Sequence, residues 1–318
     1  MTQRVADLDE TELIARFVPL LPRGASTEVG PGDDAAVIAA PDGRVVVTTD
    51  VLVVDHHFRL AWGTATDVGW RAAAQNLADV AAMGARPTGL VVALVLPPQT
   101  EVAWVLGLAE GLAAACGTEI GVVGGDLSAG ERLTVAVTAF GSLDGAAPVL
   151  RSGARPGDVV AHSGRLGWAG AGLAGLAAGR EADLPEVVGA FLRPAPPLAD
   201  GPAAAAGGAT ALIDISDGLL RDAGRVATAS GVTIDLDGDA LVDDVLAAAA
   251  AALAADPLPT ALTGGEDHGL LATFPPGTDL PGGYRAIGRV GERRRDETVT
   301  VDGAPPSVVG TGWDHFRA

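Results

Sequence analysis

Residues 89–96 form an unbroken apolar run that Pro97 and Pro98 close. A run of that kind reads as a buried strand. Its flanks read as helices. Before it, residues 66–84 place Trp70, Ala73, Ala74, Leu77, Val80 and Ala81 on one apolar stripe, with Gly84 suited to a C-terminal cap. Asn76 and Asp79 are three apart and fall off that stripe. After it, residues 99–116 repeat the helical spacing through Val102, Val105, Leu106, Ala109 and Leu112. A strand at 120–123 then runs into Gly124-Gly125-Asp126, and 132–140 alternates as a further strand.

The N-terminal segment begins with an amphipathic helix over 8–21, through Leu13, Ile14, Phe17 and Val18, ended by Pro22. Two strands, 35–39 and 44–54, follow around the turn Pro41-Asp42-Gly43. The second half opens on a turn-rich join from Arg151 to Asp158. It continues with a strand at 159–162, a glycine loop at 164–170 feeding an alanine-rich helix, a helix at 184–192 and a strand at 211–215. The strand leads into Ser216-Asp217-Gly218 and a helix bearing Leu219, Leu220, Ala223, Val226 and Ala227. Strands near 232–236, 269–274, 284–290 and 297–301 and a helix at 241–255 complete the pattern. Strands and helices mixed in both halves of 318 residues give an α/β (α+β) architecture of two domains, 1–148 and 149–318.

The net charge of −19 argues against nucleic acid or an anionic membrane as partner. There is no lysine, so all 21 basic side chains are arginines. That excludes a P-loop, a protein-kinase ATP lysine and a Schiff base; any nucleotide must be held by arginine, backbone N–H groups and metal. Cys116 is the one cysteine, which excludes an intramolecular disulfide or a cysteine cluster. The N-terminus lacks the apolar core of a signal peptide, and residues 245–255 are too short to span a bilayer. A cytoplasmic protein is expected.

The loop Gly30-Pro31-Gly32-Asp33-Asp34-Ala35 satisfies G-x-G-x-x-A, yet a helix precedes it and a strand follows, which excludes the dinucleotide fingerprint. Its carboxylates precede a valine-rich strand carrying Thr48, Thr49 and Asp50. Carboxylates repel one another, so grouping them at a strand end is costly without a cation. Hydroxyl and carboxylate oxygens suit Mg²⁺. Asp79, alone, reads as a solvated helix carboxylate. Gly124-Gly125-Asp126 after a buried strand would let N–H groups approach a phosphate while the carboxylate binds its metal. Asp214-Ile215-Ser216-Asp217 reads either as a ligand-binding strand end or as an ordinary helix N-cap. Gly264-Gly265-Glu266-Asp267 repeats the glycine-plus-acid theme. Arg151 is a phosphate clamp or a surface ion pair. His57, His162, His268 and His315 lack metal-ligand spacing. Trp313 is either core or a stacking surface for a flat ring. These residues point to a Mg²⁺-dependent, phosphate-handling enzyme and do not name a substrate.

The set GDDAAV, TTD, NLADVAAMGA, GGD, RSGARPGD, IDISDGL, GGED and GWDHF, spread from about residue 30 to 316, resembles the thiamine-monophosphate kinase family. That family is grouped with aminoimidazole ribonucleotide synthetase. The resemblance implies an aminoimidazole ribonucleotide synthetase-like fold of two domains, whose N-terminal domain binds metal and ATP and pairs into a homodimer. It implies transfer of the γ-phosphate of ATP, as co-substrate, to thiamine monophosphate, with several Mg²⁺ ions. Asp34, Thr48, Thr49, Asp50, Asp79, Asp126, Asp214 and Asp217 would form the metal shell, with Asp50, Asp126 and Asp217 catalytic. Gly125, Asp126, Arg151 and Ser216 would contact ATP, and His57, Glu266 and Trp313 thiamine monophosphate. Where the family usually reads GGEDYEL, this chain has His268-Gly269. The acceptor, a substrate phosphate with a second pKa of ~6, is already ionised at neutral pH. No general base is required, and direct in-line transfer is expected. A ligase or cyclase on the same scaffold and a non-catalytic nucleotide sensor are the rival readings.

Overall fold

The apolar run is the inner part of β4 (Arg86–Leu96), an interior strand of a four-stranded sheet. The computed structural model describes residues 3–31, 35–294, 297–308 and 310–313. The chain forms two compact units, Met1–Val80 with Arg86–Gly145, and Ala81–Ala85 with Ala146–Ala318.

In the first unit, α1 (Glu10–Phe17) begins at Asp9, whose carboxylate accepts from Glu12 N while Glu12 returns the bond to Asp9 N. Strands β1 (Thr27–Val29) and β2 (Val37–Ile38) pair with each other, so β2 is not the hairpin partner of β3 (Val46–Val53) that the intervening turn suggests. The main sheet has the order β3-β6-β4-β5, with β5 at Gly121–Ala129 and β6 at Thr134–Ser142. β4 pairs parallel with β5 and antiparallel with β6, which pairs antiparallel with β3.

One sheet face is buried through Leu90, Val92, Leu94, Val135, Val137 and Ala139. The other is open: Val47 and Val51 are 61% and 45% exposed, and Ala93 is exposed as well. Helices α2 (Ala65–Ala81) and α3 (Val102–Cys116) cross closely. A Cβ on Gly111 would lie 2.1 Å from the Thr66 carbonyl oxygen, and one on Gly69 equally near that of Leu108, so only glycine allows this approach. Asn76, expected off the core stripe, is fully buried and donates to the Ala72 carbonyl. Helix α2 is buried all round from Arg71 to Ala78, so a position off the apolar stripe is no more exposed than one on it.

The second unit has a six-stranded sheet, β12-β9-β11-β7-β10-β8, from β7 (Val159–Ser163), β8 (Ala211–Ile215), β9 (Thr233–Leu236), β10 (Gly269–Phe274), β11 (Arg285–Gly291) and β12 (Val299–Val301). All pairs are antiparallel except β12 with β9. Its helices are α4 (Trp168–Ala177), α5 (Pro185–Leu192), α6 (Asp200–Ala206), α7 (Leu219–Ser230), α8 (Asp244–Ala252) and α9 (Pro257–Thr263). Leu212, Leu270, Ala272, Phe274 and Ala161 form a core with Tyr284 and Ala204. Among the described residues no single helix is long and apolar enough to cross a membrane.

His162 is fully buried in β7, and burial, with the nearby Arg285 charge, pushes its pKa down to about 3. The folded ring stays neutral where the unfolded one takes a proton. Its stability contribution is therefore complete above pH ~6.5 and is lost as pH falls toward 3, up to about tenfold in the folding equilibrium per pH unit. Asp267, whose pKa burial raises to about 6, works the other way below that pH. Comparing wild type with His162→Leu cancels the Asp267 effect. The stability of wild type relative to the variant should therefore fall as pH drops from 6.5 to 5, read by denaturant titration of both proteins.

Candidate functional site

Each unit gathers its own set of polar side chains. In the first, Thr48, Thr49 and Asp50 lie inside β3 rather than at its end. Strand alternation turns Thr48 and Asp50 toward the buried face, opposite Ala139 and Val137. Asp79 comes from α2 to the same edge, and its Oδ2 accepts from Thr48 Oγ1 at 2.8 Å. Thr49 faces the open side. Its hydroxyl donates to the Val137 carbonyl at 2.9 Å and accepts from Thr138 at 3.1 Å.

His57 sits in the turn after β3, where Nδ1 accepts from Val53 N at 3.0 Å. In the neutral ring this places the proton on Nε2.

Gly124, Gly125 and Asp126 lie within β5, whereas sequence placed them after its end. A bulge at Val123, between the pairs Leu90–Val122 and Val91–Gly124, shifts the register. Gly125 packs so closely that a Cβ would lie 2.0 Å from the Val92 carbonyl oxygen. Asp126 is exposed and accepts from Ser128 Oγ at 2.9 Å. Tracing the register Asp50–Val137–Val92–Gly125 puts Asp50 and Gly125 at one height on opposite sheet edges. Three strand spacings separate them, about 14 Å. The sheet of one chain does not bring Asp126 to Asp50.

In the second unit, segment 264–268 runs beside the end of β8. Glu266 N donates to the Ser216 carbonyl at 2.8 Å and His268 N to that of Ile215 at 3.0 Å. Gly265 is obligatory there, since a Cβ would lie 2.5 Å from the Ser216 carbonyl oxygen. Asp217 is paired with Arg225 at 2.6 Å, and its backbone N–H donates to buried Asp222 at 3.0 Å. Burial, reinforced by Asp214, raises the Asp222 pKa to about 7 despite the Arg225 cation. Trp313, 46% exposed, donates its backbone N–H to the Asp217 carbonyl at 2.9 Å, while Arg221 donates to the Trp313 carbonyl. His268 Nδ1 lies 3.4 Å from Asp214 Oδ2 and Nε2 lies 3.6 Å from Glu266 Oε2. Burial opposes charge on the ring, but the two carboxylates prevail and lift its pKa to about 10.

Asp214, Ser216, Asp217, Glu266 and Trp313 are thus brought together. Arg151 is not among them: its carbonyl accepts from Ser230 Oγ, and Leu150 pairs with Leu212 at the opposite end of β8. Asp34 lies outside the described residues. Among those described, no three His, Cys, Asp or Glu side chains group closely enough to hold an ion by themselves. The donors at the β3 edge are nonetheless all hard oxygens, hydroxyl beside carboxylate. That fits Mg²⁺, which keeps several waters and shares phosphate oxygens.

Two features escaped the sequence reading. A largely apolar cavity of about 700 Å³ is bounded by α1, α3 and β5, through Phe17, Val105, Leu108 and Leu112, with Gly125 and Asp126 at its wall. Its helix residues read only as core, because a cavity wall and a core face share one apolar periodicity. Asp267, taken with Glu266 as a ligand theme, instead accepts from Gly167 N at 2.5 Å and Ala169 N at 2.7 Å, satisfying the start of α4.

Residues 32–143 match the family described as AIR synthase related protein, N-terminal domain, and residues 155–279 its C-terminal domain. The chain is 49% identical over 314 residues to a thiamine-monophosphate kinase of Mycobacterium tuberculosis, covering 97% of this chain and 92% of that protein. It superposes on the solved thiamine-monophosphate kinase of Stenotrophomonas maltophilia with a TM-score of 0.79 at 31% identity, over 96% of this chain and 99% of that one. A structure of AaThiL complexed with AMPPCP and TMP gives a TM-score of 0.77 at 33% identity, over 99% and 100% of the two chains.

The role of Asp267 is testable by unfolding. Asp267→Ala strands two backbone N–H groups at the start of α4 and should cost about 2–4 kcal/mol, while Asp267→Asn, which keeps an acceptor, should cost less. Urea titration of the three proteins reads the difference; equal stability of wild type and the alanine variant would refute the tie.

Proposed function

The chain belongs to the AIR synthase related family and, within it, to the thiamine-monophosphate kinases, and from that premise we propose how its residues divide the work. It is a kinase that transfers the γ-phosphate of ATP to thiamine monophosphate, giving thiamine diphosphate and ADP. The geometric observation that carries the assignment of substrate is Trp313: an exposed indole, on a residue whose backbone N–H donates to the Asp217 carbonyl, sets a stacking surface for a heteroaromatic ring beside an acidic cluster.

Glu266 and His57 are assigned to thiamine monophosphate, and Ser216, Gly125, Asp126 and Arg151 to ATP. The apolar cavity beside Gly125 is assigned to the adenine, since a flat, weakly polar ring is what an apolar wall accepts. Thr48, Thr49, Asp50, Asp79, Asp126, Asp214 and Asp217, with Asp34, are assigned to several Mg²⁺ ions, which would offset the repulsion between two anions. The chain's own part is positioning. The acceptor oxygen is already ionised, so no side chain has to remove a proton. A new bond forms between that oxygen and the γ-phosphorus as the bond to the β-phosphate oxygen breaks, and ADP leaves. Most of the metal residues, with Gly125 and Asp126, fall to the N-terminal domain, 1–148, as does His57; Arg151, Ser216, Asp214, Asp217, Glu266 and Trp313 fall to 149–318. A cytoplasmic location goes with ATP as co-substrate.

A homodimer reconciles the two edges of the first sheet. Its open face carries exposed Val47 and Val51, a surface that calls for a cover. Two such faces packed together would set β3 of one copy near β5 of the other, shortening the separation of Asp50 from Asp126.

Purified protein with ATP, Mg²⁺ and thiamine monophosphate should yield thiamine diphosphate and ADP in equal amounts by chromatography, and chelation of the metal should stop both. Asp50→Asn and Asp126→Asn should each lower kcat by about 100-fold or more with melting temperature unchanged. ADP without thiamine diphosphate would redirect the assignment to a ligase, and nucleotide binding with neither product to a sensor. Light scattering should give twice the chain mass for wild type and a single mass, with reduced turnover, for Val51→Arg. A fully active monomer would overturn the dimer.

A further inference from the structure

His268 and Gly269 stand where the family resemblance leads one to expect tyrosine and glutamate, and no assignment above gives either a task. His268 is buried, at φ +53, and Glu266 has φ +72, left-handed conformations that residues with a Cβ avoid unless their surroundings impose them. The surroundings here are explicit. The Glu266 and His268 amides are tied to Ser216 and Ile215, and the intervening Asp267 is tied to the start of α4. The imidazole is left between a buried carboxylate, Asp214, and a half-exposed one, Glu266. Gly269 completes the arrangement: a Cβ there would lie 2.5 Å from His162 Nε2 and 2.8 Å from the Ser163 carbonyl oxygen.

We propose that His268 is a positioning residue for thiamine monophosphate, holding the Glu266 carboxylate in its substrate-facing place by anchoring it, through one imidazole, to Asp214 at the end of β8. The proposal rests on the reading of Glu266 as a substrate contact. Without the ring, two carboxylates face each other across a buried gap, and Glu266 moves toward solvent. The two nitrogens have separate tasks, so the two amides separate them: glutamine places its N–H₂ near the Nε2 position, toward Glu266, and asparagine near Nδ1, toward Asp214.

Wild type, His268→Gln, His268→Asn and His268→Ala would be compared by titration calorimetry with thiamine monophosphate in the presence of Mg²⁺ and a non-hydrolysable ATP analogue, and by steady-state kinetics. The asparagine and alanine variants should weaken thiamine monophosphate about tenfold and the glutamine variant less than about threefold, with KM for ATP within about twofold. Equal loss in the glutamine and asparagine variants, or a parallel rise in KM for ATP, would overturn the proposal. Hydrogen exchange tests the anchor without substrate. The Glu266 and His268 amides should exchange about tenfold faster in the asparagine variant than in the glutamine variant, and equal rates would overturn it. Wild type that fails to bind thiamine monophosphate would sink the Glu266 assignment, and the exchange result would then decide the anchor by itself.

Discussion

Mutual repulsion of carboxylates is the constraint from which most of the local structure follows. With net charge −19 and no lysine, the protein cannot neutralise its acidic groups with a flexible ammonium. Those gathered in the two polar clusters are met by something more specific. Asp79 is held by a threonine hydroxyl, Asp217 and Asp222 by Arg225, Asp267 by two backbone N–H groups, and Asp214 with Glu266 by His268. Directional partners fix position as well as charge. A cluster built this way is rigid before any ligand arrives, and rigidity is what phosphoryl transfer asks of a protein that has no proton to move.

The same constraint bears on the first sheet. Asp50 shares a height with Gly125, the neighbour of Asp126, on the opposite edge, with β6 and β4 between them. Side by side in one chain the two carboxylates would repel throughout folding; on separate edges they do not. The proposed homodimer answers that separation, and Val47 and Val51 of the open face are the surface it would cover.

Much of this was legible in the sequence. The strand at 89–96, the helices on either side and the strands of the second half follow from apolar period and from glycine or proline at their ends. The strand–turn–helix at Asp214–Gly218 was legible because β8 is fully buried and Gly218 follows it at φ +113. The failures have identifiable causes. Gly124 and Gly125 looked like a loop, yet they lie inside β5, where Gly125 answers a close backbone contact and not a turn. Asn76 fell off the apolar stripe, and helical spacing shows a residue's face but not what packs against it. Asp267 looked like a ligand since its partners, the amides of Gly167 and Ala169, are about a hundred residues away and no local pattern announces them. In each case a backbone group was the partner, and backbone groups leave no mark in a sequence.

His268 and Gly269 show how two adjacent departures form one solution. A glutamate at 269 would add a third acid near Asp214 and Glu266, and its Cβ would meet His162 and the Ser163 carbonyl. Glycine removes both conflicts at once. It also leaves the preceding residue as the one available side chain between the two remaining carboxylates. Tyrosine would offer them a single neutral hydroxyl, whereas imidazole offers a nitrogen to each, and the positive charge they induce on it stabilises both. The exchange therefore keeps the acidic arm in place by a different pairing, with the space opened at 269 taken up by His162 from β7.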